Sequence, residues 1–547
     1  MKKRTIFATL LIGSVLLAGC TVQPVPTEPA TEPAATAPSE YTVTASGVTV
    51  KTDYGAYTAQ RQSVAPKFTR LTDEPMPDLL PRDDYGTLYS FVGAVKHSDF
   101  IESCGYAFAD AQGRVVTDAV YDSVSQLWNT DRTQGVWYYQ KPVVSEYIDG
   151  SGEVYPINGE CCGFATLDGS FATDCRYERI RTTDSFLMCI YPEDTQQHSP
   201  TRFDVYDYAG KLLLTSTELP FADRLSEASW SFDCVRDYLV VALRSDGEEV
   251  FESTRQPNYL ATLDGELRFG PYRYIWDGAD GSTVYVSTMD DAAALLKPDG
   301  SLQFDRTFYS ISADAPDRFV VMENEHDDRH VLDAEGNEVF SVPNADYLFC
   351  MDGYYMTNYE AGGGTKLLDR NGTPLPLAEG KNWSSLTGTS LCYYTTDYAA
   401  QYTVVNIVGG ETLTLDLGTG GYISSCVYQD GLAFPYFVAS AAPKRHTITE
   451  HTVYDEQLRS VLQFRGEFYS VCDQSDNTPY LAVATDAEMM LYNSEMQPIR
   501  TIPSNGRIDS AVLYGGSLSC HDDRSAYVYD ADGSLVLCYP LYTLLDD

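Results

Sequence analysis

Tyr527-Val528-Tyr529-Asp530-Ala531-Asp532-Gly533-Ser534-Leu535-Val536-Leu537 reads as two short strands joined by a tight bend. Tyr527, Val528 and Tyr529 are aromatic or β-branched, which suits a pleated, half-buried surface. The Asp530 side chain can accept from backbone amides further along and so nucleates a turn. Gly533 takes a positive φ there without a Cβ clash. Leu535 and Leu537 alternate with Val536, as a returning strand does.

Looser copies run almost the length of the chain, at Phe108–Arg114, Thr166–Ser170, Val205–Lys211, Thr262–Glu266, Leu296–Ser301, Val331–Asn337 and Leu367–Thr373. Weaker ones lie at Val405–Gly410, Val453–Leu458 and Leu491–Met496. In the last two, Leu458 and Met496 stand where the glycine belongs, so those turns must close differently or carry strain. Turn glycines at 265, 300, 336 and 372 are 35 to 36 residues apart, whereas the intervals from 113 to 169, 210 and 265 are longer and read as loop insertions. A repeat of this length holds four short strands, the content of one propeller blade. His326-Asp-Asp-Arg329 and His521-Asp-Asp-Arg524 each lead into a hairpin, which supports a common register. No segment has a sustained helical period with caps.

The repeats predict an all-β fold, a β-propeller of antiparallel hairpins. Eleven units exceed the usual range of about four to eight blades. Two tandem wheels are therefore one arrangement, with 210–265 and 410–458 as candidate boundaries. Tyr41–Val50 alternates like a strand and is expected to pair with the last blade near Leu535–Tyr539, closing the ring.

Residues 1–19 read as a signal peptide. Lys2, Lys3 and Arg4 precede an apolar run, Ile6–Leu17, that is too short to span a membrane. The run ends in Leu17-Ala18-Gly19-Cys20, which resembles the processing box of bacterial lipoproteins. That resemblance implies cleavage before Cys20, lipidation of its thiol and residence on the extracytoplasmic face of a bacterial membrane, where two or more acyl chains anchor stably. Residues 20–40 are rich in Pro, Thr, Glu and Ala and read as a disordered tether. Residues 41–547 are the repeat body.

Two early units resemble the WG-repeat family of bacterial export proteins. Gly105–Val116 followed by Tyr121-Asp-Ser-Val124, and Gly163–Gly169 followed by Tyr177-Glu-Arg-Ile180, share a glycine-aromatic start, an acidic-glycine turn and a Tyr-acidic pair. The family's tryptophan is replaced by Cys104 and Cys162. The resemblance covers about a fifth of the chain and implies a repeat scaffold that binds partners, with no catalytic residues to carry over.

The formal net charge is −41, and losing Lys2, Lys3 and Arg4 with the signal leaves 34 basic against 78 acidic residues. Nucleic acid is excluded as a partner, because phosphate recognition needs clustered Lys and Arg. The charge serves solubility first. Cys20 aside, twelve of the 13 cysteines remain, an even number compatible with disulfides. Cys520 and Cys538 flank the last hairpin and are expected to face each other across neighbouring strands, whereas Cys189, Cys350 and Cys426 read as small strand hydrophobes.

Neither His326 and His330 nor Asp530–Gly533 makes a metal site by pattern: the first is a hairpin tip, and the second lacks the further ligands of a calcium loop. No cofactor or metal is expected, although weak calcium binding by clustered acidic loops such as Asp290-Asp291 and Asp522-Asp523 stays open. Candidate ligand-facing loops are Tyr354, Tyr355 and Tyr359 near Gly362–Gly364, and Trp276 with Asp277. The reading is a membrane-anchored scaffold binding a protein, peptide or glycan. The alternative is a secreted carbohydrate-active enzyme with two carboxylates in one deep pocket beside an aromatic platform.

Overall fold

The structure, a computed structural model, describes residues between 42 and 543. Residues 1–41 and 544–547 and several inter-strand segments, the longest being 193–200, 245–255 and 426–435, are outside the description. The signal, Cys20 and the whole tether therefore lie outside the described residues, as do His326, Cys426 and Gly362–Gly364.

The founding hairpin forms as its residues require. Ser525–Tyr529 and Leu535–Pro540 pair antiparallel. Between them the Gly533 amide donates to the Asp530 carbonyl at 3.0 Å, and the Ser534 amide donates to Asp530 Oδ1 at 2.7 Å, with Gly533 at φ 83°. Asp110, Asp207, Asp333, Asp369, Asp455 and Asn493 likewise accept from the amide four residues on. Leu458 and Met496 close the same turn, donating their amides to the Asp455 and Asn493 carbonyls at 2.9 Å each. They do so at φ 59° and 57°, so these two turns carry the strain expected of non-glycine residues in the left-handed region.

Among the described residues the hairpins assemble into eleven sheets, each built on an antiparallel meander of three or four strands in chain order; added strands bring the first sheet to five and the ninth to seven. We number them as blades 1 to 11. Their ranges are 89–115, 123–166, 179–215, 233–272, 274–296, 310–342, 345–368, 384–416, 422–464, 467–503 and 510–540. The chain is a β-propeller.

Strands that are apolar throughout follow from blades covered on both faces. In Ser525–Tyr529 every residue is buried. Successive side chains point to opposite faces, so Ala526 and Val528 pack on blade 1 while Tyr527 and Tyr529 pack on blade 10. Such an apolar cluster fills every junction between consecutive blades, and one joins blade 11 back to blade 1. Both 210–265 and 410–458 are bridged by these clusters. At several junctions the turn glycine of one blade also sits on an aromatic ring of the blade before. Gly210 lies on Phe171, Gly300 on Phe269, Gly336 on Phe304 and Gly372 on Phe340. These glycines are required twice, for the positive φ and for the space that a Cβ would fill.

The irregular early intervals have separate causes. In blade 2, strands Gly135–Ile148 and Val154–Thr166 pair over thirteen positions, so the extra residues extend a hairpin rather than form a loop. Between blades 3 and 4 they form three short 3-10 turns, at Ser216–Glu218, Ala222–Arg224 and Ser229–Ser231.

Closure differs from expectation. Thr42–Thr44, Gly47–Thr52 and Gly55–Gln60 form their own hairpins and join blade 9 through Thr52 opposite Leu462. Lys67 is the residue that pairs with the last blade, exchanging both backbone hydrogen bonds with Cys538 at 2.9 Å. Thr69–Arg70 then runs beside Arg114–Val115 of blade 1. At the opposite edge of blade 1, where other sheets have their first strand, Tyr542–Thr543 pairs in parallel with Ala94–Val95. The two ends of the body thus stitch blade 11 to blade 1.

The expected contact between Cys520 and Cys538 is also corrected. Cys520 pairs with Tyr527, and Tyr527 pairs on its other side with Cys538, so a whole strand separates them. Two inter-strand steps come to about 9–10 Å, beyond the reach of about 7 Å for a bridge. Cys161, Cys162, Cys175, Cys189, Cys234, Cys392, Cys472, Cys520 and Cys538 are free thiols; Cys189 is buried and Cys350 half-buried, the packing expected of small hydrophobes.

Candidate functional site

The short closing strand at the edge of blade 1 creates the site. Tyr542–Thr543 covers only Ala94–Val95, so among the described residues no strand is paired on that edge of Tyr89–Gly93. Blade 2 reaches past this gap. Trp137 meets Tyr514 of blade 11 edge-on, with ring centroids 4.8 Å apart. The Gln126 amide donates to Gln474 Oε1 of blade 10 at 3.1 Å, and Arg132 donates to the Gln474 carbonyl.

Tyr514 is placed by a tight bend. Ser510–Tyr514 and Ser517–His521 are joined by Gly515 and Gly516, both at positive φ, the geometry that a two-residue hairpin with this twist demands. Asp473, only 3% exposed, locks the bend. Its carboxylate accepts from the amides of Gly515 at 2.8 Å and Gly516 at 2.5 Å, and from the Ser475 amide and hydroxyl at 2.9 and 2.7 Å. A buried carboxylate with four donors is well satisfied.

Between blades 1, 2 and 11 lies a cavity of about 550 Å³, within the size range of small-molecule sites. Its aromatic wall is Tyr89, Trp128, Trp137 and Tyr514, and its polar lining includes Gln126, Asp168, Ser517, Asp530 and Asp532. Trp128 is held in place by its surroundings. It faces Gly135 across the strand pair, and a Cβ there would come within 2.6 Å of the indole, so the ring lies against bare backbone. Its Nε1 donates to Gln126 Oε1 at 3.1 Å. Trp137 is 1% exposed, and its Nε1 is a buried donor with no acceptor among the described residues. Such a donor costs about 1–3 kcal/mol while it stays unpaired.

The charge states follow from local bonding. Burial works against the Asp168 carboxylate, but the Thr166 hydroxyl and the Ser170 amide and hydroxyl outweigh it and hold its pKa below the ordinary value. Burial, with Asp530 nearby, raises the Tyr89 phenol, and burial raises that of Tyr514. All three shifts favour binding groups over proton-transfer groups at neutral pH.

The residues singled out from sequence lie elsewhere. Tyr354, Tyr355 and Tyr359 belong to a blade 7 strand, Tyr354–Tyr359, rather than a loop. Tyr355 is 1% exposed and packs edge-on against Phe340 with centroids 5.1 Å apart, and Tyr354 packs half-buried against the junction of blades 7 and 8. Trp276 and Asp277 end the first strand of blade 5 and are exposed, with Trp276 stacked on Tyr285 at 5.8 Å. None of them lines the cavity. Sequence reasoning passed over Gln126, Trp128, Trp137 and Tyr514. The available signals were two of only five tryptophans nine residues apart, and the Gly515-Gly516 pair.

No family model matches the sequence, and no curated protein matches it. Solved structures similar to this chain include BamB from Moraxella catarrhalis, at 13% identity over 56% of this chain and 94% of that one, with a TM-score of 0.23. A eukaryotic initiation factor aligns at 7% identity over 69% and 95%, with a TM-score of 0.38. Hsv2 from Kluyveromyces lactis aligns at 11% identity over 50% and 97%, with a TM-score of 0.27. At these scores the superpositions say nothing about the cavity.

Proposed function

We propose that this protein is a binding scaffold, carried on the outer face of a bacterial membrane by lipid on Cys20, whose ligand seat is the cavity between blades 1, 2 and 11. The carrying observation is the aromatic wall of that cavity, Tyr89, Trp128 and Tyr514, set beside the polar groups of Gln126, Asp168 and Ser517. A bound partner covers these rings and takes their apolar surface out of water. The partner is a protein, peptide or glycan, as the sequence reading holds.

A glycoside-cleaving role has less support. It needs one carboxyl kept protonated by its surroundings, whereas the Asp168 carboxylate is stabilised in its ionised form. Anchoring is tested by expressing the full chain and its Cys20→Ala variant with labelled palmitate. Label and membrane fractionation are expected for the first and absent from the second. Equal fractionation of both would remove the anchor from the proposal.

A further inference from the structure

Resting on that ligand seat, we infer that the cavity between blades 1, 2 and 11 takes an organic cation, an ammonium or guanidinium group on an apolar stem. Its lining holds three carboxylates, Asp168, Asp530 and Asp532, and no Lys, Arg or His. Asp168 and Asp532 are exposed and Asp530 is half-buried. Among the described residues every hydrogen bond to Asp168 and Asp530 falls on Oδ1. The Thr166 hydroxyl and the Ser170 amide and hydroxyl donate to the first, and the Ser534 amide to the second. Oδ2 of each, and the whole Asp532 carboxylate, keep their lone pairs for a donor.

The wall suits both the stem and the charge. Tyr89, Trp128 and Tyr514 are half-buried, and Trp137, at 1% exposure, only backs them. A Cβ on Gly135 would lie 2.6, 2.7 and 2.9 Å from Cδ2, Cε3 and Cε2 of Trp128. One face of the indole therefore rests on that glycine, and the opposite face is left for the cavity. Tyr89 stands where the two kinds of group meet: burial raises its phenol, and so does the charge of Asp530 beside it. An aromatic face attracts a cation through its quadrupole, and carboxylates lining the same cavity add to the pull.

Other ligand classes fit less well. An anion meets three carboxylates. A neutral ligand displaces their water without returning a charge. A bare metal ion needs ligands that converge, and among the described residues no three Asp, Glu, His or Cys side chains do so. Arg500 donates to the Gly516 and Ala531 carbonyls from outside the lining, and its single charge leaves the cavity's balance negative.

The test is calorimetric titration of the full chain with three probes that share one stem: pentylammonium, pentanol and pentanoate. Pentylammonium should bind about tenfold or more tighter than pentanol, and pentanoate should not bind. Changing Asp530→Asn and Asp532→Asn together keeps an acceptor at the turn and should weaken pentylammonium about three- to tenfold. Trp128→Ala should weaken it about threefold or more. Trp276→Ala, on blade 5, should bind as the parent does. Circular dichroism and thermal melting establish that each variant is folded; if Trp128→Ala is not, Gly135→Ala takes its place, because it displaces the same ring. Two singly charged probes then separate the sources. Capped Gly-Lys-Gly binding more tightly than choline assigns the cation to a partner's side chain, and the reverse order assigns it to a free amine; both support the class. The cation class is overturned if no cation binds, if pentanol binds as tightly as pentylammonium, or if the paired Asn change leaves binding as it was. If a neutral glycan or uncharged peptide binds instead and loses affinity in the Trp128 variant, the seat stands and only the cation class fails. If ligands of every charge ignore that variant, the seat itself fails.

Discussion

Lowering the pH from 7 to 4 should destabilise the propeller by about 3 kcal/mol through one side chain, His451. The ring is 7% exposed, stacked on Phe464 at 5.0 Å and edge-on to Phe468 at 5.1 Å, with Nδ1 2.9 Å from the Ser440 hydroxyl. Burial disfavours the charged ring, and the Gly466 carbonyl offsets this only in part, so the pKa falls from 6.5 to about 4. The unfolded chain therefore binds more protons between those values. The contribution is complete above 6.5 and is lost as pH falls towards 4. At about 1.4 kcal/mol per pH unit, the interval corresponds to about 3 kcal/mol.

The assay is equilibrium urea unfolding of the parent and of His451→Gln at several pH values between 4 and 7, read as the difference between the two. Subtraction removes the carboxylates of the hairpin turns, whose pKa values are lowered (Asp333 by the Asn337 side chain and amide, Asp369 chiefly by the Thr373 amide) and which titrate mainly below this window. The parent should lose about 3 kcal/mol relative to the variant across the window. A difference that stays flat with pH would refute the assignment of a buried neutral ring.

Gly300→Ala should cost well over about 2 kcal/mol, because the new Cβ overlaps the Phe269 ring at a positive φ. Gly336→Ala should cost about 1 kcal/mol, since its Cβ meets Phe304 only at 3.1 Å and the φ dominates; thermal melts of the pair compare the two terms. Leu458→Gly should stay within about 1 kcal/mol of the parent, since relief of the left-handed backbone offsets the lost contacts. Met496→Gly, emptying a fully buried site, should cost about 2–5 kcal/mol in the same measurement. Asp473→Ala should lower stability by about 2 kcal/mol or more, leaving the Gly515 and Gly516 amides unpaired. It should also weaken any ligand that contacts Tyr514, measured by titration.

The fold was legible because its signal is local. An acidic residue and a glycine three positions on dictate a turn whatever the distant contacts, so even the strain at Leu458 and Met496 could be anticipated. Pairing between remote segments has no such local mark. The alternation of Tyr41–Val50 fits any open edge, and its neighbour Lys67 is the residue that reaches Cys538. Cys520 and Cys538 looked adjacent because the third strand between them is invisible as a spacer in sequence. The cavity was the least legible part. Trp128, Trp137 and Tyr514 come from blades 2 and 11, and their meeting depends on how little of blade 1 the last strand covers. Tyr354 and Tyr355 drew attention as a cluster beside glycines, yet a strand buried on both faces needs such residues simply to pack.

The glycine-on-ring contact bears on how such a chain grows. The ring belongs to one module and its seat to the next, so a copied module arrives with a socket for its predecessor and a plug for its successor. Tandem duplication would then yield a compatible joint at once, with no new surface to invent. Where Gly265 rests on Leu219 and Pro220 instead of an aromatic ring, the same bare seat accepts a different plug, so the joint tolerates a change of partner without losing its form.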